Sequence, residues 1–179
     1  MSILCIDPGF RALGLVVYNP ALDAIADYGV LLTDPRDYKK VKKAEGSSKA
    51  DARFLQEVGQ FLSEYARRHR IKRVVLELPH GRGRSYRATS MLAAVGGAVI
   101  GWASAKRIPL TYYSPERNKK CAAGDIHADK ATVEVAVRKR WPSPFWSELK
   151  DKEREHVCDA AALALTALAH GVVSAGPSR

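Results

Sequence analysis

The chain has 179 residues, 46% of them hydrophobic, which suits a single domain with a substantial core. Its 29 Lys and Arg residues outnumber 19 Asp and Glu, and the net charge of +10 favours a polyanionic partner, although a merely basic protein would show the same excess. Three cysteines without a Cys-x-x-Cys pair argue against a disulfide framework or a zinc ribbon. The sequence has no signal-peptide pattern and no apolar run of about 20 residues, which predicts a cytoplasmic protein with no membrane span.

The first fifty residues alternate short apolar runs with turn residues. Residues 3–7, 13–18 and 25–33 are predicted to be strands, and the short turns between them predict an antiparallel meander. Residues 34–50 are polar and basic and contain Ser and Gly, so we expect a long, mobile loop there.

From residue 51 onward, helical and strand patterns alternate. The predicted elements, in chain order, are a helix at 51–69, a strand at 72–77, a loop from Pro79, a helix at 85–106, a strand at 109–113, a short helix from Ser114, a helix at 129–140, a connection at 141–152 and a helix at 153–170. This order predicts an α/β fold with a mixed five-stranded sheet, three antiparallel strands and then parallel strands, flanked by helices. We expect one domain over residues 1–171 and a short tail over 172–179.

Two of the predicted strands end in a carboxylate, Asp7 and Glu77. Ligands of open α/β sheets usually bind at the carboxyl ends of the strands, so the two acids converge on such a site if their strands are neighbours. Taken singly, each can also be interpreted as a solvated acid at the end of a strand.

His156 and Asp159 are spaced i, i+3 on the final predicted helix and therefore share a face. That helix is almost wholly apolar from Asp159 onward, so this carboxylate is expected to be buried and to need a cation or good hydrogen bonds. The alternative is an acid stabilised at the helix N-terminus, which the earlier predicted start of the helix disfavours.

Three carboxylates and one imidazole at a strand edge suit hard divalent cations, which prefer oxygen ligands. Phosphodiester cleavage needs a nucleophilic water and relief of charge on the leaving oxygen, and two metal ions a few ångströms apart supply both.

Four segments of the chain, ILCIDPGFRALGLVVY, VVLELP, PERNKKCAAGDIHADK and HVCDAAALAL, occur in the order and at the distances seen in one nuclease family. They resemble the RuvC Holliday-junction resolvases over about residues 3–170. In this resemblance Asp7 and Glu77 are the first two acids, Lys119, Gly124 and Lys130 keep the spacing of a basic segment, and His156 and Asp159 take the places of the last two metal-site residues.

The resemblance implies an RNase H-like fold, a homodimer, and paired nicks across a four-way DNA junction that leave 5′-phosphate and 3′-hydroxyl ends. It also implies two Mg²⁺ ions per active site, with Mn²⁺ as a substitute, bound by Asp7, Glu77, His156 and Asp159, and Lys130 as a further catalytic residue. The predicted nucleic-acid-binding residues are Arg11, His80, Arg82, Arg84, Tyr86, Arg87, Lys119 and Lys120.

Three departures from the family pattern suggest a divergent member, of bacterial or viral origin, that acts in a bacterial cell or in the cytoplasm of an infected host. An apolar wedge after the second acid is missing, and His80 or Tyr86 is the candidate to stack in its place. The basic stretch at 36–49 and the segment before His156 are long. These departures bear on junction selectivity, so forks and flaps are also candidate substrates.

The second long helix is the candidate dimer interface, through Met91, Val95, Val99 and Trp102, with Gly96 and Gly97 allowing close approach. Burial of the same residues within one subunit is the competing interpretation. Two other functions stay open: an RNase H-like nuclease that cuts RNA–DNA hybrid, and a non-catalytic DNA-binding module. An actin-like ATPase is disfavoured because that architecture needs two such domains.

Overall fold

A five-stranded mixed sheet organises the computed structural model, which describes residues 1–78 and 85–172. Its order is β3-β2-β1-β4-β5, with antiparallel pairing of β1 to β2 and of β2 to β3, and parallel pairing of β4 to β1 and to β5. The strands are β1 (Ser2–Pro8), β2 (Ala12–Asn19), β3 (Ala24–Leu32), β4 (Ile71–Glu77) and β5 (Leu110–Tyr113). The predicted fold class is confirmed.

Helices cover both faces of this sheet. They are α1 (Pro35–Glu45), α2 (Ser47–Arg68), α3 (Tyr86–Ala105), α4 (Pro115–Ala123), α5 (Lys130–Arg140), α6 (Phe145–Glu148) and α7 (Asp151–Ala169). Apolar residues of α2 and α3 form the core on one face, and those of α5 and α7 form the core on the other.

Period-two alternation in the strands distributes their side chains between these two cores. In β1, Leu4 and Ile6 pack toward α2 and α3, whereas Ile3 and Cys5 pack toward α7. Because both faces are buried, the strand sequences are nearly continuous apolar runs rather than alternating ones.

The expectation of a long loop at 34–50 was wrong, because this stretch contains α1 and the first turn of α2. The Asp34 side chain caps α1 by accepting a hydrogen bond of 2.7 Å from the Arg36 amide, and Pro35 occupies the first helical turn. Tyr38 and Val41 are the only large apolar residues of this segment, which is too weak a periodic signal against so many lysines.

The residues predicted to form a dimer interface on α3 are instead packed within the subunit, as the competing interpretation held. Met91, Val95 and Val99 lie in the subunit's own core, and Trp102 packs against it while its Nε1 donates to Ser63 Oγ at 3.0 Å. Among the described residues, α3 is the one helix whose length and mean hydropathy of 1.4 would let it cross a membrane, and a core helix of a soluble protein meets the same criterion.

Candidate active site

Asp7 and Glu77 lie side by side at one edge of the sheet. Their strands are parallel neighbours in which Ile6 pairs with Leu76, so each acid follows a paired residue at a carboxyl end. Asp7 has the same orientation as Cys5, and Glu77 the same as Val75, because side chains alternate along a strand. Both carboxylates therefore project on the face that α7 covers, and the predicted convergence is confirmed.

Gly14 allows α7 to pack tightly over this edge. It pairs with Asp7 across β1 and β2, and a Cβ atom at Gly14 would lie 2.4 Å from the backbone oxygen of His156. Any larger residue would push the helix away from the sheet. The His156 ring also lies over the β1–β2 turn, 3.1 Å from the Cβ position of Gly9.

This close packing brings His156 against the first carboxylate. The distance from His156 Nδ1 to Asp7 Oδ2 is 2.8 Å, which is a hydrogen bond between the last helix and the first strand. The side chains are 21% and 9% exposed, so the pair lies at the floor of the site with limited access to water.

Glu77 is held by a residue that the sequence did not indicate. Asn118 in α4 is buried, and its Nδ2 donates to Glu77 Oε2 at 2.5 Å. Burial, followed by repulsion from Asp7, raises the pKa of Glu77 to about 8, although the Asn118 hydrogen bond acts in the opposite direction. Glu77 thus favours its protonated form at neutral pH, unless a cation compensates the charge.

Asp159 faces two basic side chains from neighbouring helices. Burial and repulsion from Asp7 raise its pKa to about 6, while the charges of Lys130, His156 and Lys119 limit the rise. Lys130 Nζ lies 4.0 Å from Asp159 Oδ2 and is also in contact with the carboxylate of Glu155. The predicted catalytic lysine therefore enters the site as part of a charged cluster with two acids of α7.

One cleft of about 440 Å³ contains all five predicted catalytic residues. Its charged and amide lining consists of Asp7, Glu77, Asn118, Lys119, Lys130, Glu155, His156 and Asp159. Oxygen donors and one imidazole fit a hard divalent cation, whose charge would offset the burial and the repulsion that raise the pKa values of Glu77 and Asp159. Across residues 1–78 and 85–172, no group of three or more acidic, His or Cys side chains has metal-site geometry.

The predicted DNA-binding residues occupy different surroundings. Lys119 lines the cleft, Lys120 is exposed on α4, and Tyr86 is 90% exposed at the start of α3. Arg87 forms an ion pair with Asp51, with an N···O distance of 2.8 Å. His80, Arg82 and Arg84 lie outside the described residues.

Arg11 packs within the protein, with its guanidinium carbon 3.7 Å from the centroid of the Tyr38 ring. Its Nε is buried and has no hydrogen-bond partner in the described part of the chain. Its predicted contact with DNA stays a prediction, and the observed contact is a cation–π interaction.

Asn118 and Glu155 are the site residues that sequence reasoning missed. Asn118 is adjacent to Lys119 in the basic segment, and Glu155 immediately precedes His156, so both lie beside residues that had been identified. Their roles depend on which side of a helix faces the cleft, and only the position of α4 and α7 on the sheet fixes that.

The family described as crossover junction endodeoxyribonuclease RuvC matches residues 3–167. The structure is similar to that of Thermus thermophilus RuvC in complex with a Holliday junction substrate, at 28% identity and a TM-score of 0.66, covering 93% of this chain and 92% of that one. A second Thermus thermophilus RuvC structure is similar at 25% identity and a TM-score of 0.65, covering 95% and 96% of the two chains. No curated protein sequence matches significantly.

Proposed function

This chain belongs to the RuvC family of crossover junction endodeoxyribonucleases, and we propose that it resolves four-way DNA junctions by paired, Mg²⁺-dependent nicks made at the cleft between β1, β4 and α7. The domain responsible would span residues 1–171, with 172–179 as a tail. We expect it to act in the cytoplasm of a bacterial cell or an infected host.

One observation carries this proposal: two neighbouring strand-end carboxylates face a helix that adds an imidazole and a third carboxylate. Burial, together with repulsion from Asp7, raises the pKa values of Glu77 and Asp159. Carboxyl groups placed where their ionised forms are destabilised are typical of a functional site rather than of a structural one.

We assign Asp7, Glu77, His156 and Asp159 as the residues that hold two divalent ions, Mg²⁺ or Mn²⁺. Bound there, the ions would lower the pKa of an attacking water and offset charge on the leaving oxygen. Asn118 orients Glu77, and the Asp7 carboxylate orients the His156 ring. His156 acts in this scheme either as a ligand or as a base.

The basic side chains of the cleft would act on the phosphate. Lys130 lies between two carboxylates of α7 and is close enough to the acids to stabilise negative charge that develops on the scissile phosphate. Lys119, on the adjacent helix, would bind the same phosphate group. In-line attack by water with departure of the 3′ oxygen gives 5′-phosphate and 3′-hydroxyl ends.

Paired cuts need two equal active sites, and we propose a two-fold homodimer through the outward face of α3 rather than its buried face. Ala93, Gly97, Ile100 and Gly101 are exposed along this face. A Cβ atom at Gly97 or Gly101 would have no neighbour within 4 Å. The subunit's own packing thus gives no reason for glycines that weaken a helix by about 1 kcal/mol each, whereas close approach of a second helix would.

Incubation with Mg²⁺ and end-labelled DNAs tests the proposal. The substrates are a four-way junction, a fork, a flap, a plain duplex and an RNA–DNA hybrid of matched length. Symmetric cuts in the junction that a ligase reseals without end processing are expected. Cutting of the hybrid with an intact junction would instead identify an RNase H activity, and binding without cutting would identify a DNA-binding module.

A further inference from the structure

Helix α1 is a strongly basic element whose role the catalytic cleft does not explain. Residues 35–49 contain six Lys and Arg residues but only two acids. Arg36 contacts Asp34 and Lys49 contacts Glu45. In the described part of the chain no carboxylate lies within ion-pair distance of four exposed lysines, Lys39, Lys40, Lys42 and Lys43.

The charges on α1 are ordered by the helical period. Arg36, Lys39, Lys40 and Lys43 recur at i, i+3, i+4 and i+7 and therefore form one stripe. Tyr38 is buried on the opposite side of the helix, where α1 packs against α2. The stripe consequently faces solvent, and it extends about 10 Å at 1.5 Å per residue, roughly three base-pair steps of duplex DNA.

The same buried tyrosine fixes α1 to the rest of the protein. Tyr38 Oη donates to Asp51 Oδ1 at 2.6 Å, and Arg87 at the start of α3 contacts both residues. A basic helix fixed through a tyrosine, a carboxylate and an arginine presents its charges from a defined position, which a flexible basic loop would not.

This position is at the catalytic edge of the sheet. Leu32, the last residue of β3, pairs with Ala12 at the start of β2. Ala12 follows the β1–β2 turn, where Gly9 and Phe10 line the cleft. The guanidinium of Arg11, in that same turn, stacks on Tyr38. Helix α1 therefore lies beside the edge that carries Asp7.

We propose that the α1 stripe, Arg36, Lys39, Lys40 and Lys43, binds the backbone phosphates of a duplex DNA arm while the branch point lies at the cleft. The complementary charge of the phosphate backbone and the position of α1 at the catalytic edge support this occupant. The interaction is independent of sequence, because lysines reach phosphates rather than base edges. The inference rests on the proposed function in one respect only, which is that the duplex arm belongs to a four-way junction.

Binding measured as a function of salt tests this inference on the full chain. Lys39→Gln, Lys40→Gln and Lys43→Gln are combined in one variant. The control variant, Arg67→Gln with Lys72→Gln and Lys106→Gln, removes the same charge from exposed residues around the opposite end of β4. Affinities for a four-way junction and for a plain duplex are measured in EDTA over a range of salt concentrations, and thermal unfolding verifies that both variants fold.

The measured quantity is the steepness with which the logarithm of the affinity falls as the logarithm of the salt concentration rises, here called the salt slope. In the stripe variant this slope should be smaller by roughly 0.9 for each phosphate no longer bound, a total between about 1 and 3. The control variant should keep the wild-type slope. An unchanged slope in the stripe variant, or an equal decrease in both variants, overturns the inference. Cleavage by wild type with Mg²⁺ is scored separately. DNA binding without cleavage would contradict the proposed nuclease and leave the α1 assignment to be decided by the slopes.

Discussion

Gly14 in β2 and His156 in α7 are in such close contact that a Cβ atom on Gly14 would lie 2.4 Å from the His156 backbone oxygen. Real Cβ atoms do not approach backbone at this distance, so the glycine sets how near the helix lies to the sheet. Since α7 carries His156 and Asp159, a substitution in β2 controls the geometry of a site to which it contributes no side chain.

Gly14→Ala should therefore displace α7, reduce stability by about 1–3 kcal/mol and strongly reduce cleavage. Urea unfolding and junction cleavage measure the two effects. Gly59→Ala in α2 is the matched control, because its Cβ would have open space and should gain up to about 1 kcal/mol of helix stability. Normal stability and activity in Gly14→Ala would contradict the described packing.

Asp7→Asn should abolish cleavage while leaving DNA binding intact. The amide keeps the shape of the carboxylate and an acceptor for His156, but it loses the charge that a divalent ion requires. We expect a decrease of at least about 100-fold in the cleavage rate, since loss of metal assistance removes several kcal/mol of transition-state stabilisation. Gel-shift affinity should be equal or tighter, because repulsion of phosphate falls.

Asp151→Asn, at the exposed start of α7, is the corresponding control and should cleave like wild type. Near-normal cleavage by Asp7→Asn would remove Asp7 from the catalytic assignment.

Stability without divalent ions should fall as pH rises, because of Glu77. Its pKa is raised from 4.5 to about 8 in the folded protein, so the protonated carboxyl stabilises the fold fully below pH 4.5 and this contribution is lost as pH rises toward 8. The slope for one proton is at most about 1.4 kcal/mol per pH unit.

Glu77→Gln keeps a neutral side chain at all pH values and should be more stable than wild type at pH 8 but similar at pH 4. Urea unfolding in EDTA at several pH values measures this difference, with the exposed Glu45→Gln as a control that should follow wild type. Identical pH profiles for wild type and Glu77→Gln would show that Glu77 is not stabilised in its neutral form.

Glu155 should act on the reaction only through Lys130, because the two side chains are in direct contact. Lys130→Met is expected to lower the cleavage rate by a large factor, and Glu155→Gln by a smaller one. If Glu155 serves to hold the lysine, Glu155→Gln should have no further effect in the Lys130→Met background. The cleavage rates of wild type, the two single variants and the double variant test this dependence. Additive losses in the double variant would assign Glu155 a separate role.

Two substitutions on α3 should have opposite outcomes. Gly97→Arg places a bulky charge on the outward face, where nothing lies within 4 Å of the Cβ position, and should give folded monomers that nick one strand at a time. Val95→Arg buries the same charge in the core and should prevent folding. Sedimentation and circular dichroism separate the results. If the wild-type protein is a monomer, both alone and on junction DNA, paired cutting by a dimer formed through this face of α3 is excluded.

The sequence by itself determined the sheet and two of its acids. Short apolar runs bounded by turn residues are a local signal, and an acid that ends such a run before a turn lies at the end of a strand whatever surrounds it. The i, i+3 spacing of His156 and Asp159 fixes their common face in the same way. These local signals, in order along the chain, were enough to indicate the family.

Tertiary structure decided the features that depend on contacts between residues far apart in the chain. Helix α1 had too few apolar residues to be recognised, and its Tyr38 becomes a buried anchor only because Asp51 and Arg87 reach it. The apolar strip of α3 would have the same sequence whether it packed against a partner subunit or against its own sheet, so the sequence does not distinguish the two. Asn118 is an ordinary helical residue until α4 packs beside β4 and buries its side chain against Glu77. In each case the energy of burial, not the local pattern, selects the outcome.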